Sequence, residues 1–202
     1  MIADSLFFLS KLLDEELKGT DTAPKVVVDN VAKLDDPDFK HKEEVLISLI
    51  NIEEEKTLKN TPHYTRSVQP PDPADPNGQP REHLAKQNPT IYVNLYVLIS
   101  CGADYVNALP RIDQVVLFLQ GKNVFKRDEH YPNATFPSNV EKIVFELFSM
   151  NFEQINHLWG ILGGKYVPSV LYKMRLLPMQ AERKISDVEP IREFRTDSHK
   201  NN

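Results

Sequence analysis

A chain of 202 residues with 41% hydrophobic and 26% charged residues can build one core, which at this size hides about 70% of the unfolded surface. The formal net charge of -5, without a Lys/Arg cluster able to neutralise a phosphate backbone, argues against a nucleic-acid partner. The lone cysteine, Cys101, has no partner for an intramolecular disulfide and follows an apolar run, so it reads as a small core residue of a reducing compartment.

Ile2, Leu6, Leu9, Leu13 and Leu17 recur at helical spacing, with Phe8 and Leu12 widening the stripe, and Gly19 stands where a stop is expected. This predicts a first helix of about four turns. Asp4, Lys11, Asp14, Glu15 and Glu16 interrupt the stretch, and it has neither a basic start nor a small-residue cleavage site, so it does not read as a signal peptide. Val26, Val27 and Val28 after Pro24 predict a strand near 25–31. From Glu44 onward, Val45, Ile47 and Leu49 alternate with Leu46, Ser48, Ile50 and Asn51. That pattern predicts a second strand covered on both faces in its middle and exposed towards its end.

Residues 61–89 hold seven of the fifteen prolines, including the stretch QPPDPADPNGQP, and few large apolar side chains. The segment at about 60–90 therefore reads as an excursion from the core: either a mobile insertion or a semi-rigid arm that packs on a neighbouring subunit. Ile91 to Ser100 predicts the most buried strand. It is far short of the ~20 residues that span a bilayer and contains Asn94, so no transmembrane segment is expected. A helix follows, with Asp104 as N-cap, a stripe of Val106, Leu109, Ile112, Val116 and Leu119, and Gly121 as terminator; Pro110 must start it or kink it.

Lys122 to Asn139 reads as a polar, proline-bearing connection. In KIVFELFSM, Ile143, Phe145 and Leu147 alternate with Val144, Glu146 and Phe148, predicting a strand with one mostly buried face. Asn151 and Gln154 have capping-box spacing ahead of a short helix whose apolar side is Phe152, Ile155, Leu158 and Trp159, ending at Gly163 or Gly164. Pro168 to Met179 sets Val170, Tyr172, Met174 and Leu176 against Leu171, Lys173, Arg175 and Leu177, a half-exposed strand. Residues 1–180 are read as the domain and 181–202, with balanced acids and bases, as a partly ordered tail.

Glu53, Glu54 and Glu55 invite a metal or acid/base reading, but on a strand only Glu53 and Glu55 share a face, and no Asp/Asn/Gly loop adds further oxygens. They read as a solvated or interface charge cluster with Lys56 as counter-charge. His41, His63, His83, His130, His157 and His199 form no metal-ligand spacing. There is no GxSxG, and Gly163-Gly164-Lys165 follows a helix instead of preceding one, which reads as a C-cap and not a phosphate cradle. No catalytic residue, metal or cofactor is expected. The candidate interface residues are Glu53, Glu54, Glu55 and Lys56, with Lys173 and Arg175 on the half-exposed strand and Arg192 and Phe194 in the tail.

Taken in order, the N-terminal helix, the valine strand, LINIEEEKTLKN, a proline-rich insertion, YVNLYVLISC, ALPRIDQVVLFLQ and LWGILGGKYVPSVLYKMRLLPM resemble the tail-terminator, or cap, proteins of phage-tail-like contractile injection systems. The resemblance implies a single mixed α/β (α+β) domain with a central mixed sheet of about four or five strands and three packed helices. It implies a structural protein: a hexameric ring at the end distal to the baseplate that ends both inner tube and contractile sheath. Sheath protein and inner tube protein would be its partners, without nucleic acid or membrane insertion. Assembly would take place in the bacterial cytoplasm, as part of a phage tail-like particle that is either released or kept in the cell. The resemblance further implies strand exchange at a sheet edge, through Pro168 to Met179 or the tail Ile185 to Phe194. Three alternatives stay open: a terminator or completion protein of a contractile phage, a small metal-dependent enzyme using Glu53, Glu55 and a loop histidine, and a monomeric adaptor that binds other proteins through the proline-rich loop with its PPDP stretch.

Overall fold

A computed structural model describes residues 1–18, 26–58, 64–69, 81–88, 90–179 and 184–188. In chain order the elements are α1 (Ile2–Glu16), β1 (Val26–Val28), β2 (Val45–Glu54), β3 (Tyr64–Gln69), β4 (Arg81–Gln87), β5 (Ile91–Cys101), α2 (Tyr105–Gly121), β6 (Val124–Lys126), β7 (Lys142–Leu147), α3 (Phe152–Ile161), β8 (Ser169–Met179) and β9 (Lys184–Val188). They group into two compact units: Met1–Lys56 with Tyr92–Pro178, and Thr57–Ile91 with Met179–Asn202.

The first unit carries a six-stranded sheet in the order β1-β2-β5-β8-β7-β6. β1 runs parallel to β2, while β2/β5, β7/β8 and β6/β7 are antiparallel. The Cys101 N–H donates to the Pro168 carbonyl at 3.1 Å, placing the end of β5 beside the start of β8. The mixed α/β architecture with three helices is the expected one, with one strand more than four or five. The addition is β6, which lies in a segment read as a connection; its three residues are too few to show a period of two.

The second unit holds a three-stranded antiparallel sheet, β3-β4-β9. The proline-rich excursion thus carries a hairpin, and the tail contributes the third strand. Pro70 to Pro80, Gly19, Arg192 and Phe194 lie outside the described residues.

Both faces of the first sheet are covered at one end. On one face, Phe8 of α1 meets Phe125 of β6 edge to face at 6.0 Å, and Phe125 meets Phe145 of β7 at 5.7 Å. Val115 and Leu119 of α2 are buried as well. On the other face, Trp159 of α3 packs in a cluster with Val31, Leu34, Leu46, Leu98, Val167 and Leu171. Val45 to Ser48 are consequently buried on both sides of β2, whereas Asn51 to Glu54 are exposed.

The capping box forms as read: the Gln154 N–H donates to Asn151 Oδ1 at 2.8 Å, and the Asn151 N–H donates to Gln154 Oε1 at 3.0 Å. α3 stops where Gly163 (φ 107°) and Gly164 (φ 82°) take left-handed backbone, and the Gly164 N–H donates to the Trp159 carbonyl at 2.7 Å.

Three readings change. The buried seam of α2 is Ala108, Val115 and Leu119, leaving Val106 and Leu109 of the expected stripe 78% and 46% exposed. The helix carries two overlapping apolar stripes, and the one with Ala108, fully buried, lets the backbone approach the core closely. Pro110 sits inside α2, where it removes the bond to the Val106 carbonyl. Leu147 ends β7 exposed instead of buried. Finally, β8 lies between β5 and β7, so both its edges are hydrogen-bonded and it is not an open strand for exchange. Its Leu171, Tyr172, Met174 and Leu177 are buried.

Candidate interaction surface

Where the core stops, charge takes over. The register of β2 against β5 shifts between Leu49 and Asn51, a bulge that inserts one residue. Before it, Leu46 and Ser48 stand opposite Ser100 and Leu98; after it, Asn51 and Glu53 stand opposite Tyr96 and Asn94. The face that lies under α3 at one end of the sheet therefore presents Glu53 and Glu55 at the other. Without the extra residue both would fall on the face of Val45 and Ile47.

Lys173 and Arg175 occupy the same face of β8. Glu53 Oε2 accepts from the Tyr96 hydroxyl at 2.7 Å and from Lys173 Nζ at 3.0 Å, and Lys173 Nζ lies 5.4 Å from the centre of the Tyr96 ring. Glu55 Oε2 accepts from Asn94 Nδ2 at 3.0 Å and from Arg175 Nη2 at 3.3 Å. Arg175 Nη1 donates to Glu146 Oε1 at 2.8 Å, carrying the chain of bonds onto β7. Asn94, beneath the network, is buried.

The electrostatics follow the bonds. The Tyr96 hydroxyl and then Lys173 hold the Glu53 carboxyl below the usual carboxylate range. The bond to Glu53 raises Lys173, and Glu146 raises Arg175. Tyr96 is pushed up first by burial and then by donating to Glu53.

The structure thus joins four of the sequence candidates, Glu53, Glu55, Lys173 and Arg175. Glu54 points to the opposite face of β2, and Lys56 is exposed in the short 3-10 turn Lys56–Leu58. Asn94, Tyr96 and Glu146 were not singled out by sequence, since only the pairing of Glu53 with Asn94 and of Glu146 with Lys173 reveals them. Glu53 and Glu55 are bound to cations and neutral donors instead of converging on a shared point. Among the described residues no group of three or more His, Cys, Asp or Glu could hold a metal ion, and no helix is long and apolar enough to cross a membrane.

A second exposed feature lies on α2. Tyr105, Val106, Leu109 and Leu117 follow one side of the helix and are 62%, 78%, 46% and 59% exposed. Apolar side chains gathered on one exposed side are the usual mark of a contact surface.

The model of one protein family, described as the Pvc16 N-terminal domain, matches residues 8–193. Among solved structures, the sheath/tube terminator of the extracellular contractile injection system PVC, in its extended state, matches with a TM-score of 0.60 and 15% identity. That match covers 100% of this chain and 64% of the other. The tube-terminating cap of the anti-feeding prophage AFP matches with a TM-score of 0.52 and 16% identity, covering 92% of this chain and 58% of that one. The chain therefore spans less than two thirds of either relative, and at these identities the likeness is one of fold. No curated protein matches the sequence.

Proposed function

The chain belongs to the Pvc16 N-terminal domain family, and from that premise we propose that it acts by assembly and not by catalysis, as the cap of a contractile injection system. In this reading six copies close into a ring at the end distal to the baseplate and terminate the inner tube and the sheath. The observation that carries it is the likeness of the whole chain to a sheath/tube terminator.

The physical logic is one of symmetry. Tube and sheath grow by repeating a heterologous contact, so each layer offers the next a copy of itself. A closed ring that matches the last layer on one face and offers no such copy on the other stops both polymers. Sheath protein and inner tube protein are then the partners, and assembly takes place in the bacterial cytoplasm.

The exposed side of α2 supplies apolar contact area for such a ring. The ionic face, with Glu53, Glu55, Lys173 and Arg175, supplies polar contacts around it, joined by Glu54 on the opposite face of β2, Lys56 in the turn that follows, and the tail residues Arg192, polar, and Phe194, apolar. Because Glu53, Glu55 and Glu146 are already paired with Lys173 and Arg175, the ionic face contributes register more than affinity. Light scattering on the purified protein, with negative-stain imaging, tests the reading: six-fold rings, alone or on sheath, are expected, and a monomer that binds neither sheath nor tube would refute it.

A further inference from the structure

The ionic network stands at a particular place in the chain. Glu53 near the end of β2 and Glu55 just past it precede the unit boundary at Lys56, Asn94 and Tyr96 follow the return at Tyr92, and Lys173 and Arg175 precede the departure at Pro178. All three crossings between the two compact units are therefore flanked by members of one network. Of the strands that carry them, β2 has lost its cover here, since Asn51 to Glu54 are exposed, while Val93 to Leu95 of β5 stay buried beneath the network.

We propose that this network is an electrostatic clasp that straddles β5 and fixes the ends of β2, β5 and β8 where the chain enters and leaves the first unit, called its roots below. The bonds from Lys173 to Glu53 and from Arg175 to Glu55 join β8 to β2, which are not neighbours; β5 lies between them. Two strand spacings amount to about 9–10 Å, a gap that only long side chains reaching from both sides can close. The two pairs bar β5 from leaving through their face, and leaving by the other costs the Asn94 bond to Glu55 and the Tyr96 bond to Glu53. Arg175 is the hub, because its two terminal nitrogens engage different carboxylates on strands to either side. A lysine would have to serve both carboxylates from one compact nitrogen instead of a fork. The side chain of Glu55 is the most shielded carboxylate of the set, at 12% exposure, so its pairing with Arg175 is the member least weakened by solvent.

An exposed network of this kind opens with salt, whereas the apolar end of the same strands does not. The clasp thus makes the roots separable from the core: they loosen while the core stays closed. This inference concerns the monomer and stands whether or not the chain caps a particle.

Amide hydrogen exchange on the full chain tests it. In Arg175→Gln, exchange at Ile52 to Glu55 and Val93 to Leu95 is expected to accelerate about tenfold, with Val97 to Cys101 unchanged. Raising sodium chloride from about 0.05 to 1 M should do the same to the unaltered protein and little more to the variant. Arg175→Lys and the milder Glu146→Gln should fall between the two, and they keep the test open if Arg175→Gln fails to fold. Unchanged exchange at the roots, equal acceleration at both ends of β5, or no response to salt would each overturn the proposal.

Discussion

Alanine in place of Gly102 sets opposing effects against each other. A Cβ built at Gly102 would lie 2.5 Å from the Lys42 carbonyl oxygen and 2.6 Å from Leu34 Cδ2. In open space the change should stabilise, by about 0.4–1 kcal/mol through the unfolded chain and about 0.8 kcal/mol through the buried methyl. Here the leucine tip can rotate but the carbonyl cannot move without its segment, so overpacking, about 1–3 kcal/mol, decides the sign. At this chain length 1 kcal/mol moves Tm by roughly 2–4 °C. Net of the stabilising terms the loss is at most about 2 kcal/mol, so the variant should melt lower by up to about 7 °C, read by circular dichroism with a matching fall in the denaturant midpoint. Gly121→Ala is the control: nothing lies within 4 Å of its Cβ, and it ends a helix, so Tm should hold or rise. A Gly102 variant as stable as the starting protein would refute the packing of the β5 end against the Lys42 segment.

Phe8→Ala should be the more damaging core change, about 3–5 kcal/mol by chemical denaturation, because Phe8 is buried against Phe125, Tyr131 and Phe136. Asn151→Ala should cost about 1 kcal/mol by the same assay, from the lost cap of α3. Glu53→Gln should flatten the acid side of the stability profile. The folded carboxyl is held below its ordinary value of 4.5, so its contribution is present above that pH and disappears as pH falls through the folded value. A denaturation series from pH 3 to 7 should then show the two proteins converging at the acid end. Val106→Asp with Leu109→Asp should leave stability within about 0.5 kcal/mol, since both are exposed, while lowering ring formation in light scattering.

Much of the fold was readable because local chemistry and tertiary role agreed. The alternation in Val45 to Ile50, the capping pair Asn151 and Gln154 and the glycines at 163 and 164 each imply their structure with no partner in view. What escaped depended on partners distant in sequence. Lys173 and Arg175 made β8 look half-exposed, yet both are neutralised by Glu53, Glu55 and Glu146 from other strands. The bulge after Leu49 decides which face the glutamates occupy, and no local residue type announces it. On α2, hydrophobicity could not distinguish two overlapping stripes, and the smaller residues Ala108 and Val115 won the core because they permit closer approach. In the insertion, Tyr64, Thr65 and Val68 carry strand propensity without apolar alternation, so proline content dominated the reading.

The capping claim is tested most directly by imaging particles assembled with and without this protein. With it, tubes and sheaths should end at one length beneath a six-fold ring; without it, they should overrun to variable lengths and lack a finished distal end. Particles of normal, uniform length from cells that lack the protein would contradict the account.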